Sequence, residues 1–223
     1  MLTDDPYGPT ALHRAGEFDA ALSTLDNAEH AALRAELLID RFFWQGHDLE
    51  DAQAAVDALD PASTTGRYLA ARLAYARILF DQAKPGDEQI AEEGYRATAA
   101  DPALAGWGEF HLGAFSDNVR QEPEMACEHY ERAARHAETD PLLQSYVVRH
   151  QSAHVTDQDE KIRLLRRSFY LRATLGYRPQ TAAAMATLAD ALPDGPEREL
   201  LREAARLTAE ELRIPWLIDS LES

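Results

Sequence analysis

Apolar residues recur at three- and four-residue steps along nearly the whole chain, and no stretch alternates apolar with polar residues as a half-buried strand would. The pattern predicts helices of roughly 10–18 residues each. Helix-breaking residues divide them at Ala15-Gly16, Gln45-Gly46, Asp60-Pro61, Pro85-Gly86, Asp101-Pro102, Glu122-Pro123, Asp140-Pro141, Gly176, Asp194-Gly195 and Ile214-Pro215. Acidic residues follow several of these breaks, where they suit the positive end of the next helix. The tail "IPWLIDSLES" predicts a short capping helix, with Trp216, Leu217 and Leu221 covering the last open face.

A repeat underlies the helices. "AGEFDAALSTLDNA" (residues 15–28), "DEQIAEEGYRATAADP" and "EPEMACEHYERAARHAETDP" (residues 122–141) share small and aromatic residues in one order. Ala126, Tyr130 and Ala133 stand where Ala91, Tyr95 and Thr98 stand one unit earlier, and the first unit has Leu25 for the aromatic. In register, Ala21, Ala55, Ala91, Ala126 and Lys161 are 34, 36, 35 and 35 residues apart. This resembles the tetratricopeptide repeat (TPR), a helix–turn–helix unit of about 34 residues with Ala, an aromatic and Ala in its second helix and Pro after it. The resemblance covers most of the chain and implies an all-α, right-handed array of about six hairpins forming one domain over residues 1–223. It is weakest at the second unit, which has no aromatic in its second helix, at Lys161, and beyond Pro179, where the register drifts. Each hairpin leaves an apolar face open, so neighbours must stack.

Composition agrees with a packed helical fold. Apolar residues make up 45% of the 223, enough for a sizeable core, and alanine outweighs Ile and Val. The net charge of −17 repels a phosphate backbone and argues against nucleic-acid binding. The charge is uneven. Residues 1–60 carry 13 acids and 3 bases, whereas residues 141–223 carry 12 and 11, so an anion would be held in the last third. Lysine occurs only at positions 84 and 161, and the many arginines fit a high-GC bacterial source. A single cysteine, Cys127, cannot form an intrachain disulfide and reads as a small core residue. With no apolar run long enough for a membrane span and no basic, apolar leader in "MLTDDPYGPT", a cytoplasmic protein is expected.

Candidate chemistry concentrates in "VVRHQSAHVTDQDE" (residues 147–160). His150 and His154 are four apart, a spacing that puts both imidazoles on one face of a helix. Zinc proteases use that spacing with a glutamate after the first histidine, but Gln151 stands there and no third ligand is near, so no metal is expected. Ordinary packed, hydrogen-bonded histidines are the competing reading. In the TPR register, His111 and Phe115 fall at positions five and nine of one unit, and His150 and His154 at nine and thirteen of the next. The resemblance therefore implies that the four share a concave, ligand-facing surface. Arg149 sits nearer the packed side of its helix, where it would need a carboxylate or carbonyl partner. The run from "RHQSAHV" into "KIRLLRRSFYLRATLGYRP" also resembles a segment of small bacterial TPR proteins, which implies a shared pocket but no reaction.

Arg163, Arg166, Arg167, Arg172 and Arg178 form the densest basic region, either a solvated helix face or an anion clamp. Arg178 lies just before a helix start, whose N-terminus could help hold an anion. Trp44, Trp107 and Trp216 read as core residues or as a stacking platform. No Gly-rich phosphate loop, Gly-x-Ser-x-Gly elbow or CxxC pair is present. These features predict a binding protein without a cofactor, monomeric or homodimeric. It would hold a protein or peptide segment, or a small ligand that can be anionic, through His111, Phe115, Tyr146, Arg149, His150, His154 and Arg178. The alternative is a pathway-specific enzyme with His150 and His154 as general acid and base and an arginine as anion or oxyanion partner.

Overall fold

A computed structural model describes residues 8–25 and 30–222. All regular structure among them is helical: α1 (Pro9–Ala15), α2 (Phe18–Ser23), α3 (Ala31–Gln45), α4 (Leu49–Asp57), α5 (Thr64–Leu79), α6 (Asp87–Ala99), α7 (Ala105–Phe115), α8 (Pro123–His136), α9 (Pro141–Gln151), α10 (Gln158–Leu175), α11 (Arg178–Ala191), α12 (Pro196–Leu212) and α13 (Pro215–Glu222). Every helix break expected from the sequence falls at a helix boundary. The caps show why. Asp140 and Asp157 accept the Leu143 and Glu160 backbone N–H groups at 3.0 and 2.8 Å, while Gly46 and Gly176 close α3 and α10 in the left-handed region.

Consecutive helices pair, α3 with α4 and so on to α11 with α12, and each pair packs on the next. The repeat residues explain the seams. Ala91, Tyr95 and Thr98 on α6, and Ala126, Tyr130 and Ala133 on α8, are all fully buried. Small side chains let the helices approach, and the tyrosine rings fill the space above them. One detail departs from the expected register. Ala52 and Val56, not Ala55, are the buried positions of α4, because α4 is short and turns its 52/56 edge to the core. Ala28, the last small residue of the first unit, lies outside the described residues.

Between neighbouring helices a tight approach is at Gly108, where a Cβ would lie 2.2 Å from the Ala99 nitrogen. Gly108→Ala must push α7 away from backbone that cannot yield. It is expected to lower unfolding stability by about 3 kcal/mol in urea titrations, at the upper end of overpacking costs. A loss below half a kilocalorie would mean that the two helices part freely.

The two ends of the chain meet. Ala182, Ala186, Ala205 and Ala209 of α11 and α12 share one apolar cluster with Phe18 and Ala21 of α2 and Leu37 and Trp44 of α3. Gln45 donates to the Leu212 carbonyl at 3.0 Å, and Trp216 Nε1 donates to the Phe43 carbonyl at 3.1 Å. The predicted C-terminal cap is thus an end-to-end clasp, because α13 carries Leu217 and Leu221 onto the α3 side of this cluster. Two further features were not expected. A π-helical turn, Ser116–Arg120, extends α7. The helix expected to carry both His150 and His154 stops at Gln151, and residues 152–154 form a turn through the Ala153 and His154 N–H groups.

Candidate functional site

Closure of the chain turns side chains of the odd-numbered helices towards one another. On α1, His13 Nε2 donates to Asp40 Oδ2 of α3 at 2.6 Å. Arg72 of α5 pairs with the other Asp40 oxygen and with Glu36 at 3.3 Å, and lies 5.8 Å over the Tyr68 ring. The Tyr68 hydroxyl meets His111 Nε2 of α7 at 3.1 Å, and the His111 ring stacks on Tyr95, 9° from parallel and 4.8 Å away. Tyr146 of α9 lies edge-on to Trp107 at 5.7 Å, and Arg172 reaches in from α10 to lie 4.5 Å over the Tyr146 ring.

These groups are close enough to set one another's ionisation. Burial pulls His13 down, but the hydrogen-bonded Asp40 carboxylate prevails and holds the imidazole above its ordinary value. Burial pushes Asp40 up, and Arg72 and His13 more than reverse it. His111 has no such partner. Burial and then Arg72 lower it to about 3, so it is a neutral ring at physiological pH, and its Nδ1 has no partner among the described residues. His150 lies well below its ordinary value, through burial and then the Arg149 cation. Tyr146 is raised, by burial first, within the field of Arg172, Asp40 and Arg72.

His150 and His154 face different partners. His150 Nδ1 donates to the Tyr146 carbonyl at 2.9 Å, and its Nε2 faces Arg149 Nη1 at 3.3 Å, between the Phe110 and Tyr130 rings. His154, beyond the helix end, donates to Asp117 Oδ2 at 2.9 Å, and the same oxygen accepts the Tyr130 hydroxyl at 2.9 Å. The π-helical turn supplies that Asp117, and its Asn118 donates to the Tyr75 hydroxyl at 2.7 Å. Turns of this kind recur at functional sites because the extra residue re-aims side chains.

The remaining predicted residues separate. His111, Tyr146 and His150 join the inner cluster. Arg149 borders it, half-buried, and pairs with no carboxylate among the described residues. Phe115 is buried in the α5–α7 seam against Tyr75 and also lines a surface cleft of about 340 Å³ with Arg120 and Met125. Arg178 lies on the outside, paired with Glu211 at 2.6 Å. Arg163 and Arg166 are likewise taken up on the surface, by Glu160 and Glu197, so Arg172 alone of that basic run turns inward. His13, Glu36, Asp40, Tyr68, Arg72 and Gln180 were not expected. Their only sequence signal is a place on the first helix of a pair, and it points inward only once the ends meet. Among the described residues no three His, Cys, Asp or Glu side chains are grouped to hold a metal ion, and no helix is long and apolar enough to cross a membrane.

Compared with known proteins, the chain matches no family model, no curated protein sequence and no solved structure.

Proposed function

We propose that this chain is a TPR-type binding protein, a right-handed array of about six hairpins, whose odd-numbered helices enclose an inner face that holds a small ligand. One observation carries the reading. Side chains from His13 to Gln180, on α1, α3, α5, α7, α9 and α11, meet in a single charge-coupled cluster of arginines, histidines and tyrosines. Tyr68, Tyr146 and His111 offer flat apolar faces with a polar tip, and the arginines offer directed donors, a combination suited to small polar ligands. The clasp between α13 and α3 favours a small ligand over a long peptide lying in an open groove. The buried Ala–Tyr seams support the TPR assignment, and the single thiol at Cys127 suits a cytoplasmic setting.

An acid–base enzyme built on His150 and His154 has less support. His150 is a poor base, with one nitrogen bonded to a carbonyl and the other facing an arginine.

The test is native mass spectrometry after incubation with a cell metabolite extract. The wild-type chain is expected to retain a small molecule that vanishes on denaturation, and Tyr146→Ala is expected to lose it. Equal retention, or none by either, would count against the inner face as the binding site.

A further inference from the structure

Arg172 is a buried cation with no anion. The residue is 4% exposed, and no carboxylate pairs with it among the described residues. Its Nε donates to Ser145 Oγ at 3.3 Å and its Nη1 to the Gln180 carbonyl at 3.0 Å. Neither partner depends on it: Ser145 Oγ is engaged with the Leu142 carbonyl, and the Gln180 carbonyl lies inside α11, where the helix ladder serves it. The other arginine buried to this degree, Arg77, is neutralised in full by a two-point fork to Asp87. The fold therefore neutralises one buried guanidinium and leaves the other uncompensated, an arrangement that costs stability unless something else supplies the anion.

The surroundings are built to receive one. Arg172 Nη2 has no hydrogen-bond partner among the described residues. Beside it, Gln180 is 6% exposed, with its side chain by the Tyr146 hydroxyl and one terminal amide atom unpartnered. Arg149 adds a second cation without a carboxylate. This cluster of positive charge lies within a chain of net charge −17.

Resting on the reading of the inner face as the ligand site, we propose that Arg172 anchors the anionic group of the ligand. That ligand is a small organic carboxylate or phosphate whose neighbouring hydroxyl or amine pairs with the Gln180 amide. Arg172 Nη2 and the second Nη1 hydrogen form a two-donor edge of the kind that matches a carboxylate or phosphate face.

Thermal melts in chloride-free buffer test this with inorganic phosphate, lactate and succinate as probes. At a large excess over Kd, at least one is expected to raise the wild-type Tm by about 5 °C or more. Arg172→Met should melt at or above the wild-type temperature without any anion, since it removes an uncompensated charge, and should show no anion shift. Arg172→Lys, a point charge without the fork, should show a reduced shift. If Arg172→Met melts well below wild type without anion, the arginine is structural and the proposal is overturned. No shift of the wild type by any probe overturns it too. A shift that survives in Arg172→Met but is lost in Tyr146→Ala removes Arg172 as the anchor and leaves the inner-face reading standing.

Discussion

Asp87→Ala is expected to cost about 3–5 kcal/mol of unfolding stability, because it strands a buried guanidinium. Arg77 and Asp87 are 4% and 2% exposed. Arg77 Nε donates to Asp87 Oδ2 at 2.8 Å, its Nη2 holds the other carboxylate oxygen, and its Nη1 reaches Gln53 at 2.7 Å. The same carboxylate accepts the Lys84 backbone N–H at 2.7 Å, fixing the turn that starts α6. The Arg77–Asp87 pair thus ties α4, α5 and the α5–α6 connection together. Asp87→Asn should recover only part of the loss, since the amide keeps one acceptor and loses the charge. Urea titration of the three proteins reads the effect directly. A cost under one kilocalorie for the alanine variant would show that Gln53 and water suffice for Arg77.

Acidification from pH 6.5 to 5 is expected to remove about 3 kcal/mol as His111 and His150 take up protons on unfolding, and to lower Tm by roughly 10 °C. Both histidines are depressed in the fold, so the unfolded chain binds their protons first, from its ordinary value of 6.5 downwards. Stability from a depressed group is full above 6.5 and is lost as pH falls. His13 has the opposite sign. It is raised by Asp40, so its contribution is complete below 6.5 and is lost only as pH rises. The lowered carboxyls of Asp40 and Asp87 lose their contributions below about pH 4, outside this interval. The histidines therefore dominate the slope. His111 faces Tyr68, Tyr95, Trp107 and Arg72, and no carboxylate is near enough to reverse its burial. His150 faces Arg149, Phe110 and Tyr130. His111→Phe keeps a ring on Tyr95 and removes one titration, so melts across this interval should show about half the wild-type slope. An unchanged slope would place the acid sensitivity elsewhere.

Local physics in the sequence set the helices and their breaks. Pro123 and Pro141 open helices, Asp140 and Asp157 cap them, and Gly16, Gly46 and Gly176 end them, each through backbone geometry that a short window contains. The buried triads Ala91–Tyr95–Thr98 and Ala126–Tyr130–Ala133 were legible for the same reason, as close packing demands small residues at fixed helical steps. The register put His111, Phe115, His150 and His154 on one shared face; in the structure His111 and His150 lie in the inner cluster, while Phe115 and His154 have other partners. What local pattern could not contain is which distant residues meet. The pairing of His154 with Asp117 depends on a π-helical turn and on a helix that ends three residues before His154. Arg172 and Arg178 belong to one basic run, yet one is buried over Tyr146 and the other pairs with Glu211 outside, because they sit on opposite sides of the turn at Gly176. Above all, Arg14 of α1 lies 5.4 Å over the Tyr177 ring, and Asp40 of α3 acts on Tyr146 of α9, because α13 and α12 close back on α3. That closure is the sum of many weak apolar contacts between residues up to about two hundred positions apart, and no short stretch of sequence records it. The sequence by itself determined the helices and the seams between neighbours; the tertiary structure alone decided which charges face one another across the centre.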